Sequence, residues 1–425
     1  DPDFVAELQA KGNELFVSKD GTAFGDGSQA NPLDLQSAIN YVAPGQTITL
    51  LPGTYYPTRP TVIERGNNGT AKKPKTLRSQ PGSRAVLNLS GFSTAAAGLD
   101  LMGNWWIIQD IDLTKSTDNS KAMQIRGSHN IVRRVDSYMN GDTGIQISGS
   151  SSEPYEKWPS YNLIEGCETF GNCDPAQNNA DGFGCKLTTG DGNVFRNCVA
   201  HHNVDDGWDL YSKVETGPIG VVLIENCIAY SNGRKIDNTG SGDGNGFKMG
   251  GDGINIPHRL VNSISFNNDL NGITTNSNPG LIVENCTAYA NKEANINLYG
   301  KNSSAEFPRT VEVYGTISMD SAGGADKFDE SKAPELKGRL QSDTNYFSNG
   351  AQSVNKSGDK LDKSAFVSVD FEKYVNGLNA DGSYNRIPRN EKGEFDLGDL
   401  FKLTDKVPAG VGADYNYTVR GKSKK

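Results

Sequence analysis

CVAHHN at Cys198–Asn203, CIAYSN at Cys227–Asn232 and CTAYAN at Cys286–Asn291 are copies of one short pattern. Aligning the chain on the final asparagine brings in VDSYMN ending at Asn140, CETFGN at Asn172 and SISFNN at Asn268. Successive asparagines stand 23 to 36 residues apart, a spacing typical of one solenoid repeat. Before each copy runs a short β-branched stretch, as in NIVRRV, NLIEG, NVFRN, VVLIEN, RLVNS and LIVEN, bounded by Asn or Gly as strands are. After the asparagine come a turn and a second strand: DTGIQIS, DGFGCKL, DDGWDLY, GNGFKMG, LNGITTN and EANINLY. No helical periodicity intervenes, so each unit is one coil of strands that stack in parallel on the next coil, about 4.8 Å away.

The fold class expected is therefore all-β, a right-handed parallel β-helix. The asparagines form an internal ladder whose amides bond one another and the turn backbone. Cys167, Cys198, Cys227 and Cys286 recur at one phase of the repeat, which reads as stacked, buried thiols rather than disulfides. The six cysteines also lack a C-x-x-C zinc spacing. An amphipathic helix over about 33–43, stopped by Pro44 and Gly45, is expected to plug the open end of the coil and cover its edge strand. The solenoid with this cap is expected over 1–320. Residues 321–425 lose the repeat and read as outer coils, loops and a polar tail packed on the same solenoid.

Composition agrees with many turns and few helices: of 425 residues 49 are glycine, and the hydrophobic fraction is 35%. With 42 Lys plus Arg against 51 Asp plus Glu the net charge is −9, which argues against a nucleic-acid backbone as partner. No run reaches the roughly 18 apolar residues of a membrane span, and the opening DPDFVAEL is unlike a signal peptide. The expectation is a soluble monomer, secreted or exported, from which any export signal has been removed.

Alignment on the turn glycine assembles a site. Thr143, Asp181, Asp206 and Asn245 immediately precede that glycine in their coils. Two residues beyond it come Gln146, Gly184, Asp209, Lys248 and Thr274. Asp181, Asp205, Asp206 and Asp209 thus gather within two coils, with Lys248 one coil further. Carboxylates this close repel one another unless a cation lies between them, and calcium, which takes six to eight oxygen ligands, suits the set. A lysine beside a bound divalent ion has its neutral amine favoured and is placed to act as a general base.

The segments ADGFGCK (Ala180–Lys186), NVDDGWDL (Asn203–Leu210) and GNGFKMGG (Gly244–Gly251) closely resemble the motifs of polysaccharide lyase family nine, calcium-dependent pectate and rhamnogalacturonan lyases. The opening FVSKDGTAFGDGSQANPLDLQSAIN, with PGQTITLLPGTY after it, is similar to that family's first coil, and the resemblance runs from about Glu14 to Tyr299. It implies calcium ligation by Asp181, Asp205, Asp206 and Asp209, and Lys248 as base. Trp208 stands where the family motif has Phe, and Cys185 where it has Pro.

The chemistry implied is β-elimination at 4-linked galacturonate in an acidic pectic polysaccharide: Lys248 takes the C5 proton, a C4–C5 double bond forms as the bond to O4 breaks, and the leaving oxygen takes a proton from solvent. His201, His202 and His258 are candidate acids for the leaving oxygen, with a structural role the better reading for His201 and His202 in their ladder segment. Lys186, Trp208, Tyr211, Lys213, Arg234 and Arg259 are candidate substrate contacts. The acidic charge and the aromatics Trp208 and Tyr211 lean toward rhamnogalacturonan over polygalacturonate. Rival readings are a polygalacturonase-type hydrolase using Asp205, Asp206 and Asp209, and a non-catalytic β-helix binding protein. The hydrolase leaves Lys248 unexplained, and the binding protein leaves the whole cluster so.

Overall fold

In the computed structural model, residues 2–10, 12–300, 311–329 and 336–414 are described. Among the described residues, three long parallel sheets run along the solenoid. Sheet A has eleven strands, from Glu14–Thr22 to Glu312–Tyr314; sheet B has ten, from Thr54–Tyr55 to Ile317–Met319; sheet C has ten, from Thr61–Ile63 to Lys327–Phe328. In the repeating coils the chain visits A, then B, then C, and each strand pairs with its counterpart in the next coil. A right-handed crossover is the ordinary outcome for parallel strands with right-handed twist.

The corners repeat because one residue at each turns left-handed. Between sheets A and B, Asn197, Asn226, Asn262 and Asn285 have φ between 46° and 53°, with Gly166 and Gly315 in the same place in other coils. Asparagine and glycine tolerate that conformation best. Between B and C the left-handed residue directly precedes the ladder asparagine and includes Met139, His202, Ser231 and Ala290, which gain nothing from it locally. The ladder offsets that strain. Side-chain amides link Asn140 to Asn172, Asn203, Asn232, Asn268 and Asn291 in sequence, at 2.8 to 3.0 Å per step.

Leucine, isoleucine, valine and phenylalanine from all three sheets fill the interior, together with Cys167, Cys198, Cys227 and Cys286. These four are free thiols, as the repeat implied. At the N-terminal end, helix α1 (Pro2–Ala10) and helix α2 (Leu35–Tyr41) close the coil. α2 is shorter than the expected 33–43 because Asp34 caps its start by accepting from the Ser37 amide, and Val42 leaves the helix two residues before Pro44. α1 lacked a periodic pattern strong enough to be read from sequence.

Residues 346–413 lie over the outer face of sheet B. There the third strand position carries Tyr138, Phe170, His201, Tyr230 and Phe266, stacked at 4.6 to 5.0 Å. Tyr374, Phe366, Leu400 and Phe401 cover part of that stack, so the aromatic in the repeat pattern serves an outer apolar layer. Arg386 reaches Glu168 (Nε–Oε2 2.7 Å) and Asp136 (Nη2–Oδ2 2.6 Å), tying this segment to the coils. The short helix Leu336–Leu340 puts Leu336 and Leu340 into the coil interior. Of the 321–425 expected to hold coils, loops and a polar tail, residues 330–335 and 415–425 lie outside the described residues.

Candidate functional site

Sheet C builds the site. Its register pairs Gln146 with Gly184, Gly184 with Asp209, Asp209 with Lys248, and Lys248 with Thr274. Successive side chains of a strand point to opposite faces. Phe183, Trp208, Phe247 and Ile273 therefore go inward, while Asp209, Lys248 and Thr274 form an outward row. One residue before the turn glycine, Asp181, Asp206, Asn245 and Asn271 form a second, hydrogen-bonded column. Asp181 Oδ1 accepts from the Asp206 amide (3.2 Å), Asp206 Oδ1 from Asn245 Nδ2 (2.8 Å), and Asn245 Oδ1 from Asn271 Nδ2 (3.0 Å). Only glycine fits between the columns: a Cβ on Gly207 would lie 2.6 Å from Gly246 O and 2.9 Å from Asn232 Nδ2. Asn245, which the repeat puts in this column, donates to Asp206 Oδ1 from both its amide (2.9 Å) and Nδ2 (2.8 Å) and so aims that carboxylate.

Carboxylate oxygens of Asp181, Asp206 and Asp209 come within 4.8 Å of one another, and all three residues are buried. Asp205 is buried beside them but outside the trio, and its Oδ1 accepts from the Asp243 amide at 3.3 Å.

Two ammonium groups enter the cluster. Lys248 Nζ lies 3.1 Å from Asp206 Oδ2 and 3.8 Å from Asp209 Oδ2. Lys186 Nζ lies 2.7 Å from Asp181 Oδ2 and 2.9 Å from Asp209 Oδ2. Burial, with Asp209 and Asp206 adding to it and Lys186 opposing, pushes Asp181 up to about 8. Burial, then Asp206 and Asp181, push Asp205 up to about 9. Asp206 is also raised by burial, against the pull of Lys248. Burial acts the same way on Asp209, yet Lys186 and Lys248 together hold it below the ordinary carboxylate range. Burial disfavours the Lys248 ammonium, but Asp209, Asp206, Asp181 and Asp205 outweigh it and raise its pKa. The lowering expected of this lysine is an effect of a divalent ion beside it; the carboxylates by themselves act in the opposite direction.

With four carboxylates and two ammoniums, full ionisation leaves two negative charges uncompensated. Asp206 Oδ2 is buried and accepts no hydrogen bond, although Lys248 faces it. Hard, buried and incompletely satisfied oxygens fit a divalent cation such as calcium, with Asp181, Asp206 and Asp209 as the core of the donor set and Asp205 at its edge.

Tyr211 is beside the cluster: its amide donates to Asp209 Oδ1 (2.9 Å), and Lys248 Nζ stands 5.8 Å from its ring centroid. Lys213 sits in the next turn, its carbonyl accepting from the Thr216 and Gly217 amides. Three expected substrate contacts are corrected. Trp208 is fully buried between Phe183 and Phe247 (centroids 4.7 and 4.9 Å), because it falls on the inward phase of its strand. Arg234 is buried, with Nε 3.0 Å from Asp269 Oδ2 and Nη2 donating to Asn267 O. Arg259 belongs to sheet A and pairs with Glu284 at 2.9 Å. The histidines are structural. His201 Nε2 meets Glu168 Oε1 (3.1 Å), His202 Nε2 meets Val375 O (2.9 Å), and His258 Nδ1 accepts from the Val222 amide (3.0 Å). A cavity of about 620 Å³, lined by Arg196, Glu225, Asn262 and Phe395 among others, includes none of the cluster residues.

Fold and site together define a parallel β-helix protein with a carboxylate and amine centre on the outward face of one sheet. Residues 15–308 match the family described as Pel9A-like, right handed beta helix region, and the chain belongs to that family. Pectate lyase L of Thermoclostridium stercorarium is 46% identical over 359 residues, which cover 84% of this chain and 28% of that protein. Pectate lyase L of Paenibacillus polymyxa (strain SC2) is 36% identical over 417 residues, covering 96% and 86%. The crystal structure of pectate lyase Pel9A aligns with a TM-score of 0.71 at 26% identity, covering 95% of this chain and 92% of that one. A rhamnogalacturonan lyase shares the fold, with a TM-score of 0.71 at 20% identity and coverage of 95% and 100%.

Proposed function

We propose that this chain is a calcium-assisted pectin lyase that cleaves 4-linked galacturonate by β-elimination, with Lys248 as the base. The observation that carries the reading is the register pairing of Asp209 with Lys248, which holds an amine directly beside the buried trio Asp181, Asp206 and Asp209. Calcium held by these carboxylates, with Asp205, would draw charge from a substrate carboxylate and so acidify the hydrogen on the adjacent C5. Lys248, its side chain 15% exposed, presents Nζ at the edge of the cluster toward the outward side of sheet C. To accept a proton it must first lose one, and the uncompensated carboxylates oppose that loss. Compensating them relaxes the hold and makes the neutral amine accessible. Asn245 and the Tyr211 amide keep Asp206 and Asp209 aimed while this happens.

Polygalacturonate is the substrate we favour. The lean toward rhamnogalacturonan drew on Trp208 as a contact, and that side chain is inside the core. Relatives named pectate lyase support the same choice. A polymer of that size is met outside the cell, which supports an exported enzyme; among the described residues no helix is long and apolar enough to cross a membrane. We further read residues 346–413 as part of the solenoid's folded unit, on the strength of the Arg386 ion pairs.

The test is digestion of purified polygalacturonate and rhamnogalacturonan, following near-ultraviolet absorbance with calcium and with a chelator. A conjugated unsaturated uronate formed from polygalacturonate only with calcium is the expected result. Reducing ends without that absorbance would establish a hydrolase instead.

A further inference from the structure

Of the two ammonium groups in the carboxylate cluster, Lys248 has a part in proton abstraction and Lys186 has none. Lys186 follows the strand Phe183–Cys185 and stands four residues past Gly182, the place Tyr211 holds relative to Gly207 in the next coil. Phe183 and Cys185 are buried, so alternation turns Gly184 and Lys186 outward. Gly184 has no side chain to fill the row between Gln146 and Asp209. Across that gap Lys186 Nζ takes Asp181 Oδ2 at 2.7 Å and Asp209 Oδ2 at 2.9 Å.

Both residues belong to the trio that fits a divalent ion. An ammonium and a metal ion compete for the same two carboxylates, because the ion needs their oxygens at bonding distance and like charges so close repel. The lysine stem is flexible, so the ammonium can withdraw by changing rotamer while the strand stays in place. Released, it stays on the outward side of sheet C, where an anionic chain laid along that sheet would meet it.

Resting on the lyase reading above, we propose that Lys186 is a resident counter-cation. It occupies Asp181 Oδ2 and Asp209 Oδ2 in the ion-free protein, is displaced when calcium binds, and then pairs with a uronate carboxylate of the polysaccharide lying along sheet C.

The wild-type chain tests displacement directly, by acylating its amines and mapping the modified peptides by mass spectrometry in chelator and in calcium. Labelling of Lys186 is expected to rise about tenfold with calcium while Lys213 stays level, since the protected population falls as the ion occupies the site. In calorimetric titration with calcium chloride alone, Lys186→Met is expected to bind about tenfold tighter than wild type, with the competitor gone, and Lys213→Met within about twofold. On polygalacturonate at saturating calcium, Lys186→Met is expected to raise KM about tenfold with kcat within about threefold, the signature of lost uniform binding. The proposal is overturned if wild type binds calcium but Lys186 labelling does not change and Lys186→Met binds no tighter. Wild type failing to bind calcium at all would overturn the lyase reading, and this proposal with it.

Discussion

Asp209 and Lys248 are register partners in sheet C, and Lys248 Nζ stands 3.8 Å from the same Asp209 oxygen that Lys186 holds at 2.9 Å. One carboxylate is thus shared between an amine positioned to take a proton and an amine positioned to compensate charge. The burial that pushes Asp181, Asp205 and Asp206 upward fails to do so at Asp209, where Lys186 and Lys248 both lie within ion-pair distance of one carboxylate oxygen and outweigh it.

Replacing the base separates binding from turnover. Lys248→Ala is expected to keep calcium binding and lose about 10² to 10⁴-fold in kcat, the usual cost of removing a general base. Lys248→Arg is expected to fare nearly as badly because a guanidinium does not deprotonate. Initial rates of unsaturated-product formation at saturating calcium provide the check. More than about a tenth of wild-type activity in Lys248→Ala would refute the assignment.

The raised carboxylates give the ion-free protein a pH signature. Asp181 is raised from 3.8 to about 8 and Asp205 from 3.8 to about 9, so between these values the folded state holds protons that the unfolded chain has released. Their contribution to stability is fully present below about pH 4 and is lost as pH rises through 8 to 9. Melting temperatures in chelator are expected to fall between pH 6 and pH 9, and Asp181→Asn is expected to flatten that fall. Calcium should reverse it by binding the deprotonated form. An equally steep fall in Asp181→Asn would exclude the cluster as its source.

Ladder amides are expected to dominate coil stability. Asn203 Nδ2 donates to Asn232 Oδ1 (3.0 Å) and Thr169 O (3.2 Å), while Asn203 Oδ1 accepts from Asn172 Nδ2 (2.8 Å). Asn203→Ala strands buried partners on both sides and is expected to cost about 3 kcal/mol, read from the shift in a urea unfolding midpoint. A change within experimental error would mean the coil relaxes around the gap.

Trp208 distinguishes packing from contact. Trp208→Phe keeps an aromatic between Phe183 and Phe247 and is expected to leave KM within about twofold, whereas Trp208→Ala opens a core cavity costing about 3 to 5 kcal/mol. Thermal unfolding measures the second effect and kinetics on polygalacturonate the first. A KM raised strongly in Trp208→Phe while stability holds would return this residue to the substrate surface.

The sequence by itself determined the coil, the asparagine ladder, the stacked thiols and the columns that set Asp181 beside Asp206 and Asp209 beside Lys248. These follow from a period, and once strands stack in parallel, residues at one phase become neighbours along the axis. Tertiary structure alone decided what has no period. It drew Lys186 into the cluster, committed Arg234 to Asp269, and laid Arg386 on Glu168 from 218 residues away. It also decided protonation, because Asp209, Asp206, Asp181 and Asp205 together outweigh the burial of Lys248 and hold it charged. Periodicity specifies which backbones are adjacent. Loop packing and the endpoints of long, flexible side chains depend on distant segments, and no local pattern encodes them.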